Sequence, residues 1–224
     1  MIPGNLSRKA LALALSATLL AAAPALSFAQ AAPAAASATY TSASASKVVL
    51  DNTERVLRTI ETRRAEFTRD RAALRQFINT EFETLFDREY AARRVLGRHA
   101  RGASEADITL FADALAENLL QQYGASLLAF NTQLRASIKS ETPLPRNAGV
   151  RVASELQRGD GTRIPVDYFM RRVGNQWRVF DVMVEGVSMV ATFNKQFDTE
   201  LQRKSIRQVA TELRAGRVRA NAGD

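Results

Sequence analysis

The chemistry in this sequence is scarce, and it starts with a serine. Gly186-Val187-Ser188-Met189-Val190 carries the opening of the nucleophile elbow G-x-S-x-G. Val190 stands where that sharp turn needs a glycine, and the chain's one histidine, His99, sits among basic and small residues from Arg98 to Gly102. Ser188 therefore reads as the N-cap of a helix beginning at Met189. Asp181 and Glu185 could serve as an acid/base pair, but four residues apart on a strand puts them about 13 Å from each other. Glu185 is better placed near a helix N-terminus, where negative charge is favoured. Gly159-Asp160-Gly161 joins strand to strand, whereas a phosphate loop feeds a helix. With no cysteine and one histidine, thiol catalysis is excluded and too few ligands remain for a zinc site. No catalytic residue, metal ligand or cofactor is assigned. Tyr90, Tyr123, Tyr168 and Trp177 could orient a ligand, though such residues more often pack with their polar tips satisfied.

The N-terminus reads as an address. Arg8 and Lys9 precede an Ala/Leu stretch from Ala10 to Leu20, and Ser27-Phe28-Ala29 offers small residues to a signal peptidase. Residues 1–29 are expected to be a cleaved signal, and residues 30–46, rich in Ala, Ser, Thr and Pro, a disordered leader. In a bacterium the destination would be the periplasm. The rest is long enough to form a core without disulfides. The formal net charge of +8 falls by two with the signal removed. The basic residues are scattered in pairs such as Arg63-Arg64 and Arg171-Arg172, without the dense stripe of a nucleic-acid binder.

The apolar periods set out an α+β chain, helices first. One helix is expected from Val48 to Arg64, a second from Arg69 to Phe86, and a short third from Arg88 to Leu96, capped by Asp87 and ended by Gly97. Ser104 opens the strongest helix, with Ile108, Phe111, Leu115, Leu119, Tyr123, Leu127 and Phe130 along one face, about 40 Å in all. The period then changes to two. Strands are expected at Thr132–Ile138, Val150–Leu156, Ile164–Val173 and Trp177–Val184, with turns at Thr142–Asn147, Arg158–Gly161 and Gly174–Gln176. Helices from Met189 to Arg203 and Ile206 to Leu213 follow, the latter with a capping box of Ser205 and Gln208. Residues 47–216 form one domain in this reading, and 217–224 a frayed tail.

What the chain has in surplus is apolar surface. Val182, Val184, Val187, Met189, Val190, Phe193 and Phe197 continue one greasy surface from the last strand into a helix. A curved antiparallel sheet covered by helices commonly encloses a cone-shaped cavity. Periodicity alone leaves a solid core equally open. An enzyme on such a scaffold, using Asp181 or Asp167, and an adaptor with a filled interior are the competing readings.

One resemblance separates them. The stretches R-E-Y-A-A-R-R-V-L-G-R-H from Arg88, P-V-D-Y-F-M-R-R-V-G-N-Q-W-R-V-F-D from Pro165, and F-D-V-M-V-E-G-V-S-M from Phe180, followed by V-A-T-F-N-K-Q-F and L-Q-R-K-S-I, closely resemble the toluene-tolerance or MlaC family. The resemblance runs from about Val48 to Gly216 and is most specific between Trp177 and Met189. It implies a nuclear-transport-factor-like curved sheet with a helical cap, a glycerophospholipid ligand with its tails inside, and two partners: an inner-membrane ABC transporter complex and an outer-membrane lipoprotein–porin complex. The loop after His99, R-G-A-S-E-A-D, lacks the aromatics and proline common there, so no partner contact is carried onto it. Residues 182–190 and Tyr90 to Leu96 match the family pattern and are carried over as cavity wall. With the positions inferred from periodicity, the candidate lipid-binding set is Phe82, Phe86, Tyr90, Val95, Leu96, Phe111, Leu115, Leu119, Tyr123, Val152, Val166, Tyr168, Met170, Phe180, Val182, Val184, Val187, Met189, Val190 and Phe193.

Overall fold

The structure, a computed structural model, describes residues 43–123 and 134–221. The first helix, α1 (Ala45–Thr62), begins earlier than Val48 because Ser44 caps it, its hydroxyl accepting from the Lys47 N–H at 3.2 Å. Ala45 is fully buried, and Ser46 donates to Glu141 through both its backbone N–H and its hydroxyl. The expectation of a disordered leader through residue 46 is therefore corrected at its end. A short helix that was not expected, α2 (Arg64–Arg69), occupies the stretch between the two expected ones, and the second of those, α3 (Arg71–Leu85), begins two residues after Arg69. Asp70 divides α2 from α3, with one carboxylate oxygen accepting from the N–H groups of Ala72 and Ala73, and this cap sets the start of α3.

Asp87 caps α4 (Arg88–Leu96) through the Tyr90 N–H at 3.1 Å. Gly97 ends it with φ +55°, and a Cβ there would lie 2.6 Å from the Asn194 side-chain nitrogen. Glycine is required both by the backbone and by the approach of the neighbouring helix. Ser104 accepts from the Asp107 N–H at the start of α5 (Glu105–Tyr123). The continuation expected to Phe130, with Leu127, and the strand start at Thr132 lie outside the described residues.

Among the described residues, five strands form one antiparallel meander: β1 (Arg135–Pro143), β2 (Val150–Gln157), β3 (Arg163–Val173), β4 (Gln176–Val184) and β5 (Val187–Ser188). β1 reaches into the expected proline turn, since Thr142 and Pro143 still pair with Arg151 and Val150. β5 was not expected. Glu185 and Gly186 both have positive φ, +51° and +85°, the geometry of a two-residue turn that returns the chain beside β4. Glu185 thus sits in a hairpin and not at a helix N-terminus. The chain closes with α6 (Met189–Leu201) and α7 (Ile206–Arg214), the latter with both halves of its capping box formed.

Two apolar clusters hold these elements. On one, Ala45 and Val49 of α1 and Leu85 of α3 pack on the sheet residues Val152, Met170 and Val179. In the other, Leu96, Ile108, Phe111, Phe197, Val209 and Leu213 join α4 through α7. The expected frayed tail is corrected over the residues described. Asn118, buried on α5, accepts from the Ala220 N–H at 2.9 Å and donates to the carbonyls of Leu213 and Val218. A buried amide must be satisfied, and here the tail does much of that. Among the described residues no helix is long and apolar enough to cross a membrane.

Candidate functional site

The hollow of this molecule lies mainly among helices. Its volume is about 330 Å³, within the range of roughly 300–1,000 Å³ usual for ligand pockets. Ile78, Asn79 and Phe82 of α3 and Phe86 form one side; Arg88, Ala91, Ala92 and Val95 of α4 the next. α5 supplies Ala112, Leu115, Ala116, Leu119, Leu120 and Tyr123, and α6 supplies Met189, Val190 and Phe193. Among the described residues, the sheet contributes only Phe180, Asp181 and Val182 of β4.

A bulge explains how that strand reaches the hollow. Phe169 pairs with Asp181 and Met170 with Val179, which leaves Phe180 as an extra residue on β4. Val179 and Phe180 are consequently both buried, which strict alternation would forbid. Asp87 donates its N–H to the Val179 carbonyl at 2.8 Å and ties the start of α4 to the same place.

Of the candidate set, Phe82, Phe86, Val95, Leu115, Leu119, Tyr123, Phe180, Val182, Met189, Val190 and Phe193 are brought together in this wall. The others lie elsewhere. Val152 and Met170 are fully buried beneath α1 and Leu85, with Tyr168 packed alongside. Burial pushes the Tyr168 phenol up, against a hydrogen bond with Thr53 that acts the other way. Leu96 and Phe111 belong to the helical core, and Val166 is buried on β3. Val184 is half-buried on β4, while Val187 on β5 is 50% exposed. Tyr90 stands behind the wall, edge-on to Phe180 at 5.3 Å and with the Arg171 guanidinium over its ring.

Sequence reasoning missed what makes the space. Ala91, Ala92, Ala112 and Ala116 lie on facing helices, where larger side chains would fill the gap. The signal was Ala112-x-x-x-Ala116 inside an otherwise bulky apolar face, beside Phe111, Leu115 and Leu119. Arg88, Asn79 and Asp181 were missed as well. Asp181 is already engaged: one oxygen accepts from the Ser188 hydroxyl at 2.6 Å, the other from the Val190 N–H at 3.0 Å. Ser188 in turn caps α6 through the Ala191 N–H. Asp167 is held by Arg151 at 2.5 Å. A second pocket, about 530 Å³, is walled by Tyr90, Asn147, Ala148, Gly149, Arg171, Arg172 and Trp177; its wall is half polar and offers no continuous oily surface.

The decisive comparison is with the family model described as "MlaC protein", which matches residues 50–215. The chain belongs to the MlaC family. Among its relatives, the Haemophilus influenzae "Intermembrane phospholipid transport system binding protein MlaC" is 24% identical over 163 residues, 71% of this chain and 76% of the relative. The Pseudomonas putida "Toluene tolerance protein ttg2D" is 23% identical over 159 residues, 70% of this chain and 72% of the relative. A solved structure from Ralstonia solanacearum, described as a phospholipid-binding protein in complex with a phospholipid, superposes with a TM-score of 0.68 at 20% identity, over 78% of this chain and 98% of that one. It shares the fold of this MlaC-family chain: leading helices, an open antiparallel sheet and closing helices.

Proposed function

We propose that this protein is a carrier that binds phospholipid and moves it between membranes, as the family does to maintain outer-membrane lipid asymmetry. The observation that carries the reading is the apolar cavity of about 330 Å³ among α3, α4, α5, β4 and α6 in an MlaC-family chain. A buried methylene is worth about 0.8 kcal/mol, so two acyl chains of about thirty methylenes resist water by ~24 kcal/mol. A carrier must match that with apolar burial. Shape then matters more than hydrogen bonds, which agrees with the carbon-rich wall. The lipid-binding residues in this reading are those of the candidate set that meet in the wall, with Ile78, Leu120 and the four alanines.

Residues 1–29 act as the export signal, cleaved after Ala29, and the protein works in the periplasm. Its partners are the inner-membrane ABC transporter complex and the outer-membrane lipoprotein–porin complex; nucleic acid is not among them. The protein is not an enzyme and requires no cofactor: the carboxylates that an enzyme would use, Asp181 and Asp167, serve a helix cap and an ion pair.

Solvent extraction of the purified protein followed by mass spectrometry tests the reading. A glycerophospholipid in near one-to-one ratio is expected. Protein free of lipid that also takes none from vesicles would overturn it.

A further inference from the structure

Among the described residues the cavity wall has few polar members: Asn79, Arg88, Tyr123 and Asp181. Asp181 is spent on Ser188 and the start of α6, and the Tyr123 hydroxyl donates toward Asn221 at 3.3 Å. Arg88 differs. It is the first residue of α4, and its guanidinium is clamped on one edge, with Nη2 donating to Asp113 of α5 at 2.5 Å and Nη1 to Glu83 of α3 at 3.3 Å. Its third nitrogen, Nε, is buried, and its N–H has no hydrogen-bond partner. A cationic donor left unpaired in an oily wall is costly, and native structures leave few such groups without a reason.

We propose that Arg88 is the polar anchor of the bound lipid, its Nε–H donating to an oxygen acceptor in the neck that joins the acyl tails to the headgroup. This rests on the reading of the cavity as a lipid site and adds what fixes the lipid's depth there. The clamp favours the role. Asp113 and Glu83 hold the guanidinium plane in place, so Nε meets an incoming acceptor without having to be ordered first. The same two carboxylates offset the arginine charge. A neutral ester carbonyl therefore suits the position better than a second anion beside Glu83. The phosphodiester oxygen is the other acceptor in that neck and offers the same hydrogen-bond chemistry. Asn79, on the α3 side, is the one amide in the described wall.

The test uses delipidated full-length protein and three probes of equal chain length: a diacyl phosphatidylethanolamine, its dialkyl ether analogue, and the matching diacylglycerol. The ether analogue lacks the ester carbonyls and the diacylglycerol lacks the phosphate. Wild-type protein is expected to bind the ether analogue about tenfold more weakly than the diacyl lipid. In Arg88→Lys, which keeps the charge for Asp113 but has no N–H at the Nε position, that ratio should fall to near one. If the ratio that collapses is instead diacyl lipid to diacylglycerol, the acceptor is the phosphate and the anchor stands. Folded Arg88→Lys with both ratios unchanged overturns the anchor, as does wild-type protein that prefers none of the three. Binding of none of the three overturns the lipid reading and the anchor together. Should Arg88→Lys fail to fold, the Arg88 Nε–H resonance of the ¹⁵N-labelled wild type decides: slowed exchange and a shift on loading with the diacyl lipid, or no response, which overturns the proposal.

Discussion

Leu115 and Val184 carry similar apolar surface, yet the fold gives them different fates. Leu115 faces the cavity, while Val184 lies on β4 outside its wall. Leu115→Glu should therefore abolish co-purified lipid, because a carboxylate cannot be left unpaired in that space, whereas Val184→Asp should retain it. Lipid content per folded protein distinguishes the two. Helical spacing marked Leu115 as inward-facing and the family resemblance marked Val184, and neither could say more, because which residues face a hollow depends on what covers them. Val152 and Met170 were read as wall for the same reason and are sealed under α1. The alanines escaped notice because a small residue signals space only when its neighbours across the gap are known. A second residue-scale expectation concerns pH. Asp198 is held below the usual carboxylate range, first by its hydrogen bond with His99 and then by Gln202 and Arg98, against partial desolvation. A carboxyl lowered on folding stabilises above its unfolded value, about 3.9, and loses that contribution as pH falls through the lower folded value. Asp198→Asn should lower the melting temperature at pH 7, and the gap to wild type should close as pH falls below about 4.

At the scale of elements, caps were the most legible feature. Ser188, Ser205, Asp87 and Ser104 each announce a helix start in the sequence and each accepts the expected backbone N–H. Ser188→Ala should cost about 1 kcal/mol in chemical denaturation, with somewhat more if Asp181 loses its orientation. Asp70 was equally readable as a capping residue, but the helix start was placed one residue before it, at Arg69. β5 was hidden for a different reason: two residues are too short to show alternation, and only the turn at Glu185-Gly186 betrays it. The C-terminal tail was legible from the wrong end. Nothing in residues 217–221 suggests order; the cue is Asn118, a polar residue inside the apolar stripe of α5. Deleting residues 217–224 should destabilise by about 1–3 kcal/mol, since Asn118 loses partners without losing its burial. Asn118→Leu should recover part of that in the truncated chain, because an apolar side chain has no hydrogen bond to lose. Urea unfolding of the wild type, the truncated chain and the truncated chain with Asn118→Leu gives the comparison.

For the molecule as a whole, the order of helices, meander and closing helices followed from where the apolar period changes from 3.6 to two. The hollow did not, since the same pattern also specifies a solid interior. Filling it should be measurable as stability: a ligand that binds only the folded form adds about 2.7 kcal/mol at a hundredfold excess over its dissociation constant. Protein stripped of lipid should melt at a lower temperature than protein reloaded with phospholipid, in proportion to the logarithm of lipid concentration. The placement of the hollow also has a mechanical consequence. Strands β1 to β3 are laced together by antiparallel ladders, broken by one irregularity between Ile138 and Ser140, and none of their residues is among the described residues that border the cargo space. The walls that do are chiefly helices, joined through side chains such as the Arg88–Asp113 pair, and side-chain contacts slide more readily than ladders unzip. The sheet is thus a stiff backplate and the helices are panels free to part by small amounts. Amide exchange in α3 and α5 should quicken when the cargo leaves, while β2 and β3 keep the same slow rates in both states.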